Sequence, residues 1–130
     1  MNRNLKLNVG QKVAVKIEDN SNASRYIDMS LENIDSWCFE GEVTKVGRKY
    51  ITVKFRTYKE EQFSIEDDYR QKYTSGGADY KLYLFKEEVI EEREADAIYY
   101  QIKREFDYYR NNSKFTLNQL IRIKSIIEEE

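Results

Sequence analysis

Hydrophobic and polar residues alternate most cleanly between Tyr50 and Arg56, where Ile51, Val53 and Phe55 interleave with Thr52, Lys54 and Arg56. A repeat of two is the period of a strand with one buried face. The preceding stretch repeats the pattern, with Phe39, Gly41 and Val43 on one side and Glu40, Glu42 and Thr44 on the other. Together they predict a β-hairpin. Gly41 suggests a bulge or bend in its first arm. Gly47, Arg48 and Lys49 supply the turn, where Gly47 is free to take a positive φ and the two cations stay in water.

Three further segments read as strands: Val13, Val15 and Ile17 alternate with Lys12, Ala14 and Lys16; Phe63 and Ile65 face inward from a short run; Tyr80, Leu82 and Leu84 alternate with Lys81, Tyr83 and Phe85. Between them lie two loops. Residues 18–36 are turn-rich, with apolar anchors at Tyr26, Ile27, Met29, Leu31 and Ile34 and room for a short helix. Residues 69–79 form the other, around Gly76 and Gly77. Five short strands predict a small antiparallel barrel.

The period changes at Lys86. Residues 86–111 contain no Gly or Pro and repeat Ala95, Ile98, Ile102, Phe106 and Tyr109 at helical spacing, a stripe that needs a partner surface. Asn111, Asn112 and Ser113 end that helix. A second begins with Thr116 as N-cap, Gln119 three residues on and Phe115 placed to staple onto Leu120, and it carries Leu117, Leu120, Ile123 and Ile127 on one face. The fold class is therefore α+β: a five-stranded SH3-like antiparallel barrel over residues 1–85, then a two-helix extension over 86–130, packed on the barrel or on a partner.

Composition narrows the chemistry. The chain of 130 residues has no His, one Cys and no Pro. It thus lacks the commonest neutral-pH acid/base group and metal ligand, and Cys38, between Trp37 and Phe39, reads as a small buried hydrophobe. The acids Glu87, Glu88, Glu91, Glu92, Glu94 and Asp96 fall in the first turns of a helix, where the dipole favours a solvated acidic face. No catalytic residue, metal site or cofactor is expected, and the reading is of a protein that is not an enzyme. The start has no signal-peptide apolar run and no stretch reaches a membrane span, so the expected location is cytoplasmic.

Charge supplies the candidate site. The net charge of −2 argues against bulk electrostatic capture of duplex DNA. Residues 1–85 carry 14 basic and 13 acidic groups, whereas 86–130 carry 8 and 11. From Val43 to Lys59, however, Lys45, Arg48, Lys49, Lys54, Arg56 and Lys59 meet no acid. Tyr50 and Tyr58 lie among them, and cations interleaved with aromatics suit phosphates and exposed bases. Outward strand positions are also often Lys, Thr or Tyr for reasons of sheet stability alone.

The motif G-Q-K-V-x-V-K at Gly10 to Lys16, a Trp, E-G-x-V-T-K-V-G-R-K-Y-x-T-V at Glu40 to Val53 and F-T-L-x-Q-L at Phe115 to Leu120 resemble a family of small β-barrel proteins carried by phages and mobile elements of low-GC bacteria. The resemblance covers most of the chain and implies a binder; no activity comes with it. More loosely, the barrel is similar to SH3-like, Tudor and KOW modules, a likeness of fold only. The first functional expectation is a phage or mobile-element accessory protein that binds a bacterial protein or nucleoprotein complex, for instance to inhibit a nuclease-based defence system, as a monomer or homodimer. Eleven Tyr and six Phe suit such an interface. The alternative is a nucleic-acid-binding module that presents the basic hairpin tip to single-stranded DNA or RNA.

Overall fold

The computed structural model describes residues 3–56, 59–72, 77–109 and 115–129. The chain forms a closed antiparallel barrel followed by helices, an α+β architecture. Its strands are β1 (Lys12–Ile17), β2 (Cys38–Val46), β3 (Tyr50–Phe55), β4 (Lys59–Ser64), β5 (Arg70–Gln71) and β6 (Tyr80–Tyr83). They pair in chain order, and β6 closes back onto β1.

Six strands, not five, make the barrel. The additional one, β5, has two residues and lies in the segment that reads as a loop. Two residues cannot display a period, and β5 exists because Phe63 and Ser64 of β4 pair with Gln71 and Arg70. The chain reaches that register through Asp68 and Tyr69, both at positive φ (51° and 62°). Arg3 holds this corner: its backbone N–H and Nε donate to Asp68 Oδ1 at 3.1 and 3.0 Å, and Nη2 donates to the Leu82 carbonyl at 2.6 Å. Lys81 Nζ stands 3.2 Å from the other Asp68 oxygen.

The inward alternation of β1 and β3 is present: Val13, Val15, Ile17, Ile51, Val53 and Phe55 are buried, together with Trp37, Phe63, Tyr80 and Leu82. Within β2 the irregularity lies between Val43 and Lys45, not at Gly41. Gly41 serves close packing instead, since a Cβ there would stand 2.7 Å from Val53 Cγ1 and 3.3 Å from both Val15 Cγ2 and the Lys54 carbonyl. Gly47 likewise is not at positive φ. Its N–H donates to the Tyr50 carbonyl at 2.9 Å, and a Cβ would lie 3.0 Å from that oxygen, so the turn needs a small residue rather than a left-handed one.

The long first loop contains a short 3-10 helix, Leu31–Ser36, that ends at Trp37, whose Nε1 donates to the Ser30 carbonyl at 2.9 Å. Helix α1 runs Lys86–Tyr109 and α2 runs Leu117–Ile127. The capping box reads as expected: Gln119 N–H donates to Thr116 Oγ1 at 3.1 Å, and Thr116 N–H donates to Gln119 Oε1 at 2.8 Å. Asn111, Asn112 and Ser113 lie outside the described residues.

Contacts gather into two compact units, Met1–Arg93 and Glu94–Glu130. The first turns of α1 therefore belong with the barrel. Val89 is buried there, and Ala14 and Lys16, outward residues of β1, are buried too. In the second unit Phe106 stacks on Phe115 with centroids 4.9 Å apart. No described helix is long and apolar enough to cross a membrane.

Candidate functional site

Strand register sorts the basic residues of the hairpin into two groups. Lys54 stands opposite Glu42 on β2 and Glu60 on β4, and Glu42 stands opposite Lys12 on β1. Lys12 Nζ lies 3.4 Å from Glu42 and 3.9 Å from Glu40. The outer face thus carries a ladder of alternating sign across four strands, which favours sheet pairing. The stretch that is free of acids in sequence is flanked by acids in space.

Arg56 and Lys59 are engaged as well. The Arg56 guanidinium sits 4.7 Å over the Phe39 ring, and Lys59 Nζ donates to Tyr80 Oη at 3.3 Å while lying 5.1 Å from that ring's centroid. Tyr58 falls outside the described residues. Lys54, Arg56 and Lys59 stand apart from the tip.

At the tip the picture changes. Lys45, Arg48 and Lys49 are exposed, and none forms an ion pair or hydrogen bond through its side chain with a described residue. The turn itself is tied down, because Ile65 N–H donates to the Lys49 carbonyl at 2.9 Å. The cations therefore project from an anchored backbone. Beside them is Tyr50, half-buried, with Lys72 Nζ 4.6 Å from its ring centroid.

Sequence reasoning missed Lys72. It follows β5, and its N–H donates to the Gln62 carbonyl at 2.8 Å, next to Thr52 and then Lys45 in the adjoining strands. No local signal marks it; only the β4–β5 pairing brings it across. An open groove of about 470 Å³ runs between Lys45, Thr52, Gln62 and Lys72, with Glu60 and Glu61 on its wall. A smaller hollow of about 160 Å³ shares Lys72 and is lined by Tyr50, Ser64, Asp67 and Gln71. Unpaired cations, an aromatic face that already attracts a cation, and amide and hydroxyl side chains are the groups that neutralise phosphates, stack a base and bond its edge.

A further charged cluster of this unit, at the start of α1, is committed to architecture. Tyr83 Oη donates to Glu92 Oε1 at 2.8 Å, and Lys16 Nζ lies 3.6 Å from the same oxygen. Burial, and then the bond to the Glu92 carboxylate, push the Tyr83 phenol far above its ordinary value. Arg93 sits 4.9 Å over the Trp37 ring and bonds Asp19 at 3.0 Å, while Lys86 reaches Asp35 at 2.6 Å. These contacts fasten the start of α1. Cys38 is buried beneath it, and burial raises its thiol to about 11 against the pull of Lys86 and Lys16, so it stays protonated at neutral pH. Among the described residues no group of three or more Cys, Asp or Glu side chains is placed to hold a metal ion.

Compared with known proteins, residues 1–130 match the family model of the phage ProQ C-terminal-like domain. No curated protein and no solved structure matches the chain.

Proposed function

The chain belongs to the phage ProQ C-terminal-like domain family, and from that membership we propose a cytoplasmic, non-enzymatic phage accessory protein whose barrel binds single-stranded nucleic acid at the hairpin tip. One observation carries the reading: Lys45, Arg48 and Lys49 are exposed, form no ion pair with a described residue and stand beside the Tyr50 ring and Lys72, and none of them faces an acid across the strands as Lys54 faces Glu42 and Glu60. Phosphates would meet the tip cations and Lys72. A base would take the place of the Lys72 ammonium on Tyr50. With a net charge of −2, contact stays local, which suits a few nucleotides of strand or loop better than duplex.

The test is titration of the full chain with labelled single-stranded RNA, single-stranded DNA and duplex across a salt series. Three or four phosphate contacts give a logarithmic salt slope of roughly −2 to −3 on single strands. Arg48→Glu/Lys49→Glu abolishes that binding, and Tyr50→Ala weakens it by about 1–3 kcal/mol. Absence of binding at low salt sinks the reading.

A second reading, action through a protein partner, is favoured by the helical unit, where Ile98, Ile102, Leu117, Ile121 and Ile127 are exposed. A bacterial protein or nucleoprotein complex is the partner class it suits. Inhibition of a nuclease-based defence system is one form such action could take, and no surface feature singles out that target. Capture experiments with the full chain and an Ile121→Asp variant test it: a partner retained equally by both removes the helical face from the interaction.

A further inference from the structure

Helix α2 is apolar around most of its circumference. Leu117, Leu120, Ile121, Ile123, Ile126 and Ile127 flank a polar strip of Asn118, Arg122 and Ser125, spaced four and three residues apart, and only Gln119 and Lys124 interrupt the apolar remainder. A helix of that kind needs neighbours on more than one side, and α1 supplies one. Between Ile102 and Phe106 on α1 and Ile123, Ile126 and Ile127 on α2 lies an open groove of about 470 Å³ in which Glu105 is the one charged lining group among the described residues. No residue of α2 is buried.

Charge indicates what closes the groove. Between Leu117 and Ile127, α2 carries Arg122 and Lys124 and no acid. The part of α1 in the same unit carries Glu94, Asp96, Glu105 and Asp107 against Lys103 and Arg104. Lys124 is spent on Glu128 at 3.9 Å, but Arg122 and Glu105 have no ionic partner among the described residues. In a two-fold pairing that sets α2 of one copy against α1 of another, the basic α2 meets the net acidic part of α1, and Arg122 and Glu105 are the groups free to pair across it.

We propose that the helical units of two copies close on each other as a four-helix homodimer. This rests on the protein-binding reading and names its partner. Sedimentation equilibrium of the full chain, from micromolar to several hundred micromolar, tests it. A dimer is expected, and Ile123→Asp gives a monomer whose Trp37 fluorescence and barrel unfolding are unchanged. Glu105→Arg raises the dimer dissociation constant about tenfold, and Glu105→Arg/Arg122→Glu restores it. A native chain that is monomeric throughout, a dimer that survives Ile123→Asp, or a charge swap without rescue overturns the proposal. If the monomer nevertheless retains a bacterial protein through the helical face, the dimer fails while the protein-binding reading stands.

Discussion

The barrel and the helical unit spend similar apolar residues in opposite ways. Val15, Trp37, Val53, Phe63 and Leu82 are 0 % exposed, while Ile98, Ile102, Leu117 and Ile127 keep 57, 51, 74 and 76 % of their surface in water. The difference follows from where each backbone finds its hydrogen bonds. A helix satisfies its own N–H and C=O groups within four residues and can stand before its apolar face is covered. A strand cannot, since its partners lie on other strands, and pairing six of them necessarily builds an interior. Burial in this protein therefore tracks long-range pairing, and the helical unit leaves apolar surface exposed.

Substitutions can break that contrast, beginning with the largest effect. Phe55 is buried and meets Phe39, Phe63 and Tyr80 at centroid distances of 6.4, 6.3 and 4.9 Å. Phe55→Ala should cost about 3–5 kcal/mol in urea unfolding followed by Trp37 fluorescence, whereas Ile121→Ala should cost the barrel less than about 0.5 kcal/mol. Equal losses would mean that the two units unfold as one. Gly41→Ala comes next. With Val53 Cγ1 2.7 Å from the new methyl and a rigid β-branched side chain unable to yield, a loss of about 1–3 kcal/mol is expected by the same assay.

Asp68 sharpens the comparison on the acid side. Burial alone would raise its carboxyl, but the Arg3 backbone N–H and guanidinium, helped by Lys81, bring it from 3.8 down to about 2. A folded value below the unfolded one means that the stabilisation is complete above about pH 4 and disappears as pH falls through about 2. Asp68→Asn should lower barrel stability at neutral pH by about 1–3 kcal/mol and flatten its decline in acid. An unchanged acid profile would show that the Arg3 corner does not hold the barrel. The smallest expected effect lies in the other unit: Thr116→Ala removes the capping box and should cost about 1 kcal/mol of α2 helicity by circular dichroism, with barrel unfolding unmoved.

Much of this fold is legible along the chain. The inner faces of β1 and β3 and the start of α2 depend on spacing and on contacts within three or four residues, so a linear pattern suffices to read them. The candidate site is legible only in part. Arg48, Lys49 and Tyr50 are consecutive and announce themselves, but Lys72 joins them across β4, and only register places Glu42 and Glu60 opposite Lys54. Ala14 and Lys16 likewise carry no mark of burial, because the turns of α1 that cover them begin some seventy residues later.

The sequence by itself determined the periods, the caps, the absence of His and the concentration of cations in one hairpin, all of them local or compositional properties. Only the tertiary structure decided that the barrel has six strands, which cations face an acid across the strands and which do not. The reason is physical: charge pairing acts over a few ångströms, and distances on that scale between residues far apart in the chain exist only once the strands have closed.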